Sequence, residues 1–194
     1  MAFAAHYQNR GVAIERLDLR VPSFEHLRLS AMLEVVGAAI GGASDRAVVI
    51  GSSLGGLTAA RACERDPRIA ALILLAPAFQ LAARWRAQLA GELDAWRHTG
   101  WRTVIDRTTN HPARIDFGFL EDVTAVDVGF PDVRVPTLIL HGINDDVVPV
   151  EHSRRFAEGK RHVRLVELDD DHELVGSLPT ILDEADRFLT PWLR

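Results

Sequence analysis

The stretch Val48-Val49-Ile50-Gly51-Ser52-Ser53-Leu54-Gly55-Gly56 constrains the fold of this chain more than any other. A β-branched run, suited to a strand, leads into Gly51-x-Ser53-x-Gly55, and an alanine-rich helical stretch from Leu57 to Arg65 follows. Strand, tight turn and helix in that order are what a nucleophile elbow requires. Ser53 is its centre, because Ile50 rather than glycine stands two residues before Ser52. The start of the following helix would lie behind Ser53 and favour negative charge there. Glycine-rich turns of this kind also cradle phosphates. No lysine follows these glycines, so a Walker-type loop is excluded.

On either side of the elbow, helical and strand-like patterns alternate. Residues 3–10 read as a helix closed by Gly11, and Val12 to Leu19 as a strand with alternating apolar residues. Residues 25–40 read as a helix with a stripe of Leu29, Met32, Leu33, Val36 and Ile40. Further strands are expected at 47–52, 69–76, 135–141 and 163–168, and helices at 54–65, 151–158 and 177–189, the last with Ser177 as N-cap. Alternation of this sort predicts an α/β fold: a mostly parallel sheet, about five strands by this reading, with helices on both faces. Residues 77–116 interrupt it, holding three of the four tryptophans, many arginines and no strand pattern. They are expected to be a small helical cap inserted over the active-site face of a single domain spanning 1–194. Residues 115–126 read as helical or irregular.

Composition removes several classes of function. A net charge of −5 argues against nucleic acid as the main partner. The longest apolar run, Ile69 to Phe79, is too short to span a bilayer. Cys63 is the single cysteine, so no disulfide framework exists and a reducing, cytoplasmic setting is expected. It reads as a small core residue. The N-terminal residues lack the basic and long apolar regions of a signal peptide.

In open parallel sheets the chemistry gathers outside the carboxyl ends of the strands. Ser53 follows strand 47–52, Asp145 follows strand 135–141, and His172 follows strand 163–168. Serine, acid, histidine is the chain order of an α/β hydrolase. A serine hydroxyl needs a base to take its proton, and histidine is suited to that near neutral pH. Asp145 would hold the far ring nitrogen, and the backbone N–H of Leu54 would receive the developing oxyanion. Asp146 is a rival acid, while His152 and His141 are rival bases; His141 is better placed to brace the turn. The spacing of His141, Asp145 and Asp146 matches no metal-ligand pattern.

Gly51-Ser52-Ser53-Leu54-Gly55-Gly56, the stretch Asp18 to Phe24, the H-G-x-x-D-x-x-V-P match at 141–149 and Asp171-His172 together resemble the small bacterial YqiA-like esterases of the α/β-hydrolase superfamily. The resemblance covers the chain from Phe3 onward. It implies a three-layer α/β-hydrolase fold and a serine esterase or thioesterase for short to medium acyl groups, with no cofactor. Ser53, Asp145 and His172 match the family's nucleophile, acid and base. Family members begin with a strand ending in a His-Gly-Phe-type turn that supplies a second oxyanion donor, and nothing like it precedes residue 3. The alternative expectation is therefore a truncated, weakly active or non-catalytic member. Acyl-CoA is a candidate substrate, with Arg84, Arg86, Arg97, Arg102 and Arg107 available to attract its phosphates.

Overall fold

The computed structural model describes residues 2–42, 46–106, 109 and 111–193. Helix α1 (Ala2–Gln8) opens the chain, and Gly11 follows it with a φ of 78°. Helix α2 (Leu29–Gly42) buries Leu29, Met32, Leu33, Val36 and Ile40, the stripe expected from their spacing. Strand β1 (Ala47–Ser52) runs into helix α3 (Leu54–Cys63), and strand β2 (Ile69–Leu75) follows. Helices α4 (Leu81–Gln88) and α5 (Leu93–Thr99) precede strands β3 (Trp101–Asp106) and β4 (His111–Asp116). Helix α6 (Phe117–Val126), strand β5 (Thr137–Gly142), helix α7 (Glu151–Ala157), strand β6 (Val163–Leu168) and helix α8 (Leu178–Leu189) complete the order.

The main sheet is parallel, with the order β1-β2-β5-β6. Its central strands are buried on both faces, which is why they read as unbroken apolar runs. The period of two divides their side chains between two cores. Leu72 and Leu74 of β2 and Ile139 of β5 pack with α2, α3 and Phe156 of α7. Ile73, Leu138 and Leu140 point the other way, toward Tyr7 of α1 and Ile181, Ala185 and Leu189 of α8. Helices therefore cover both faces.

Two expectations need correction. Residues 12–19 form no strand, so β1 is an edge of the main sheet and Ile50 is 38% exposed. Their alternation slips in phase: Val12 and Ile14 pack against the α1–α8 core, whereas Leu17 and Leu19 pack against the α2–α3 core. Apolar spacing alone does not make a strand, because the backbone must also find a neighbouring ladder. Second, residues 77–116, expected to be a small helical cap, contain the antiparallel pair β3–β4, from Trp101 opposite Asp116 to Asp106 opposite His111. Thr103, Val104 and Ile105 supply the β-branched run that tips it to strand. Residues 117–126 take the helical one of the two forms expected there, and the Asp116 side chain caps them by accepting the Phe119 N–H at 3.1 Å. Ser177 does precede α8 but makes no side-chain cap bond. Cys63 is half-buried, and burial first, with Glu64 beside it, pushes its thiol up to about 11.

Candidate active site

The turn between β1 and α3 places Ser53 at φ 50° and ψ −116°, outside the regions comfortable for a residue with a Cβ. Three hydrogen bonds hold it there. The Ser53 N–H donates to Leu75 O at 2.8 Å, and its carbonyl accepts from Leu57 N–H at 3.1 Å and Ala78 N–H at 3.0 Å. The turn is so tight that a Cβ on Gly51 would lie 2.3 Å from the carbonyl oxygen of Gly55. Only glycine fits that approach. Leu54 opens α3, so its N–H belongs to the unpaired first turn and lies directly after Ser53.

The ends of β5 and β6 are tied to each other. Ile143 N–H donates to Leu168 O at 2.8 Å and Asn144 N–H to Asp170 O at 3.1 Å. The Asp170 carboxylate accepts from the backbone of Asp171 and Ser177, and these bonds lower its pKa. Asp171 accepts from Glu173 N–H at 2.9 Å. The acidic residues around His172 thus shape its loop.

These two loops bring the three expected residues together. His172 Nε2 lies 3.0 Å from Ser53 Oγ, and His172 Nδ1 lies 2.7 Å from Asp145 Oδ2. A carboxylate only accepts, so Nδ1 carries the proton and Nε2 is free to accept from the serine hydroxyl. Asp145 Oδ1 accepts from the N–H groups of Val147, at 2.9 Å, and Val148, at 2.7 Å. Burial works to raise the Asp145 pKa, but the Val148 N–H and His172 outweigh it and leave the carboxyl below its ordinary value. His172 is 8% exposed and Asp145 8%, so both act largely out of contact with water.

The rivals sit elsewhere. Asp146 is exposed. His152 lies in the first turn of α7, its pKa lowered first by burial and then by Arg84. His141 is fully buried on β5, with Nδ1 2.7 Å from Ser153 Oγ and Nε2 3.1 Å from Asp145 Oδ2 and 2.8 Å from Val148 O. Burial, outweighing Val148 O and Asp145, lowers its pKa and so favours the neutral ring. Ser153 escaped the sequence reading because a serine inside a short helix carries no local signal; only the fold seats it against His141. No group of three or more potential metal ligands occurs among the described residues.

The arginines considered for phosphate binding have intramolecular partners. Arg84 is buried and donates to Val147 O, behind the acid turn. Arg86 donates to Thr124 Oγ1 at 3.1 Å, Arg97 to Asp94 at 3.3 Å, and Arg102 pairs with Glu92. Arg107 lies outside the described residues.

A family profile described as UPF0227, an uncharacterised protein family, matches residues 3–188. The chain belongs to this YqiA-like family. A comparison of the UPF0227 chain with curated proteins finds no match. Among solved structures, α/β hydrolase GrgF from Penicillium sp. sh18 is similar at 17% identity and a TM-score of 0.69, over 98% of this chain and 83% of that one. The mouse α/β hydrolase domain-containing protein 10 is similar at 21% identity and a TM-score of 0.66, over 81% of this chain and 70% of that one. The monoacylglycerol lipase of Paleococcus ferrophilus is similar at 18% identity and a TM-score of 0.61, over 85% of this chain and 76% of that one. At these identities the likeness establishes the fold: the UPF0227 chain has the α/β-hydrolase fold.

Proposed function

We propose that this chain is a serine hydrolase of small-molecule carboxylic esters, acting through an acyl-enzyme. The observation that carries the reading is the continuous contact from Ser53 Oγ through the His172 ring to Asp145, on a strained strand-to-helix turn. His172 Nε2 takes the Ser53 proton as Oγ attacks the ester carbonyl. Leu54 N–H donates to the oxyanion that forms. His172 then returns the proton to the leaving alcohol, leaving the acyl group on Ser53. Water attacks that ester by the same route in reverse, with His172 again the base. Asp145 holds the Nδ1–H tautomer and stabilises the imidazolium. The resemblance to YqiA-like esterases points to short or medium acyl groups.

One finer reading belongs to the same site. A thioester such as acyl-CoA follows the identical chemistry. Because Arg86, Arg97 and Arg102 already have side-chain partners, we expect no strong salt dependence of acyl-CoA turnover. The competing reading is a weakly active or non-catalytic member, favoured by the position of β1 at the sheet edge, immediately beside the elbow. No helix among the described residues is long and apolar enough to cross a membrane. We place the protein in the cytoplasm on the strength of its single, half-buried cysteine.

Intact mass after incubation with a fluorophosphonate tests the reading directly. An adduct on the parent chain, absent from Ser53→Ala, is the expected result, together with loss of p-nitrophenyl ester hydrolysis in that variant. Hydrolysis undiminished by the substitution would remove the assignment, and a parent that takes no label would favour the non-catalytic reading.

A further inference from the structure

Asp145 Oδ2 faces two imidazoles: His172 Nδ1 at 2.7 Å and His141 Nε2 at 3.1 Å. The protonation of His141 follows from its neighbours. Val148 O, 2.8 Å from Nε2, can only accept, so Nε2 carries the hydrogen and shares it between that carbonyl and Asp145 Oδ2. In the neutral ring that burial favours, Nδ1 then has only a lone pair, and Ser153 Oγ–H donates to it at 2.7 Å. His141 and Ser153 are both 0% exposed, so water does not replace either contact. The carboxylate is thus gripped at each oxygen: Oδ1 by the Val147 and Val148 N–H groups, Oδ2 by His141. Two backbone donors fix only the position of Oδ1; coupled rotation about the Cα–Cβ and Cβ–Cγ bonds can still pivot the carboxylate around that oxygen and swing Oδ2 away from His172. A rigid ring on the central strand β5 removes that freedom.

We propose that His141, held by Ser153, is a positioning residue that aims Asp145 Oδ2 at His172. The inference rests on the serine-hydrolase reading for its kinetic consequence, and on geometry alone for its structural one. Two amide substitutions separate the roles of the ring nitrogens. His141→Gln can carry an N–H to the place of Nε2, whereas His141→Asn is too short to reach Asp145 and retains only the side toward Ser153. The expected result is a fall in kcat of roughly tenfold to a hundredfold for His141→Asn, with KM within about twofold, and recovery of most of it in His141→Gln.

The second readout needs no substrate. The low-field proton resonance of the His172 Nδ1–H···Asp145 hydrogen bond should persist in His141→Gln and be broadened by exchange in His141→Asn. Equal behaviour of the two variants, or an unchanged resonance in His141→Asn, would overturn the proposal. Should His141→Asn fail to fold, Ser153→Ala tests the same claim: it is expected to weaken that resonance, and an intact resonance there overturns it. Absence of Ser53-dependent hydrolysis in the parent would remove the enzymatic reading, while the NMR comparison would still decide the role of His141.

Discussion

A Cβ added to Gly142 would stand 2.3 Å from the carbonyl oxygen of Asp170. The end of β5, which carries the acid turn, and the loop that carries His172 therefore nest more closely than any side chain at 142 permits. Gly142→Ala must push the loops apart and lengthen the contact between His172 and Asp145. An ångström of misplacement at such a site costs on the order of a hundredfold in rate. We expect a fall in kcat of that size and a lower melting temperature, measured by ester hydrolysis and calorimetry. Full activity in the alanine variant would show that the loops yield without disturbing the site.

Asp145→Asn should reduce kcat by about four orders of magnitude. The amide N–H would face His172 Nδ1 and favour the tautomer with its hydrogen on Nε2, where the serine proton must go. The pH dependence of stability has a definite sign. Because the folded pKa of Asp145 lies below its unfolded value, the carboxylate stabilises the fold fully above about pH 4 and loses that contribution as pH falls through the folded value. The gap in melting temperature between parent and variant should therefore be widest at neutral pH and close in acid.

Asp116 joins three elements. It caps α6 and accepts from both terminal guanidinium nitrogens of Arg28, at 2.7 and 2.8 Å, and from His26 at 2.5 Å. Burial opposes its charge, yet Arg28 and then His26 pull the carboxyl down to about 2. Relative to an ordinary carboxylate this corresponds to about 2 kcal/mol, present above pH 4 and lost as pH falls toward 2. Asp116→Asn should lower the urea midpoint at pH 7 by a corresponding amount and have little effect near pH 2.

Asp186 on α8 accepts from His6 at 3.0 Å and from Arg10 at 2.6 Å, fastening the first helix to the last. Burial again works against its charge, and Arg10 foremost, followed by His6, draws it down to about 2. In Asp186→Ala the amides of residues 5–12 should exchange with deuterium faster, by mass spectrometry of that peptide. Ester hydrolysis should stay within about twofold, since α1 lies on the face away from the α2–α3 core. Unchanged exchange would mean that apolar packing of Tyr7 is sufficient to hold the helix.

Much of this arrangement was legible in the chain because the signals were local. Gly51-x-Ser53-x-Gly55 announces its own turn, since the backbone path admits little else there. The apolar runs of β2 and β5 identify central strands, and the stripe of α2 names the side chains it buries. Long-range partners were less visible. Residues 12–19 have the alternation of a strand, but pairing depends on which edge lies beside them, and they pair with none. Trp101 to Asp116 shows no clean strand alternation because that hairpin is only partly buried, so its pairing is not legible within the helical cap that residues 77–116 suggest.

Local patterns along the chain were enough to order the four strands of the main sheet, the elbow turn and the helices beside them, and to name residues with the chemistry for a nucleophile, an acid and a base. That follows from short-range rules of backbone freedom and apolar period. That Ser53, His172 and Asp145 meet within hydrogen-bonding distance, with His141 and Ser153 packed behind them, follows only from how the strands and loops come together in space. Contacts between residues 119 positions apart depend on how β5 and β6 register and how closely their loops nest. No periodicity in the chain records that distance.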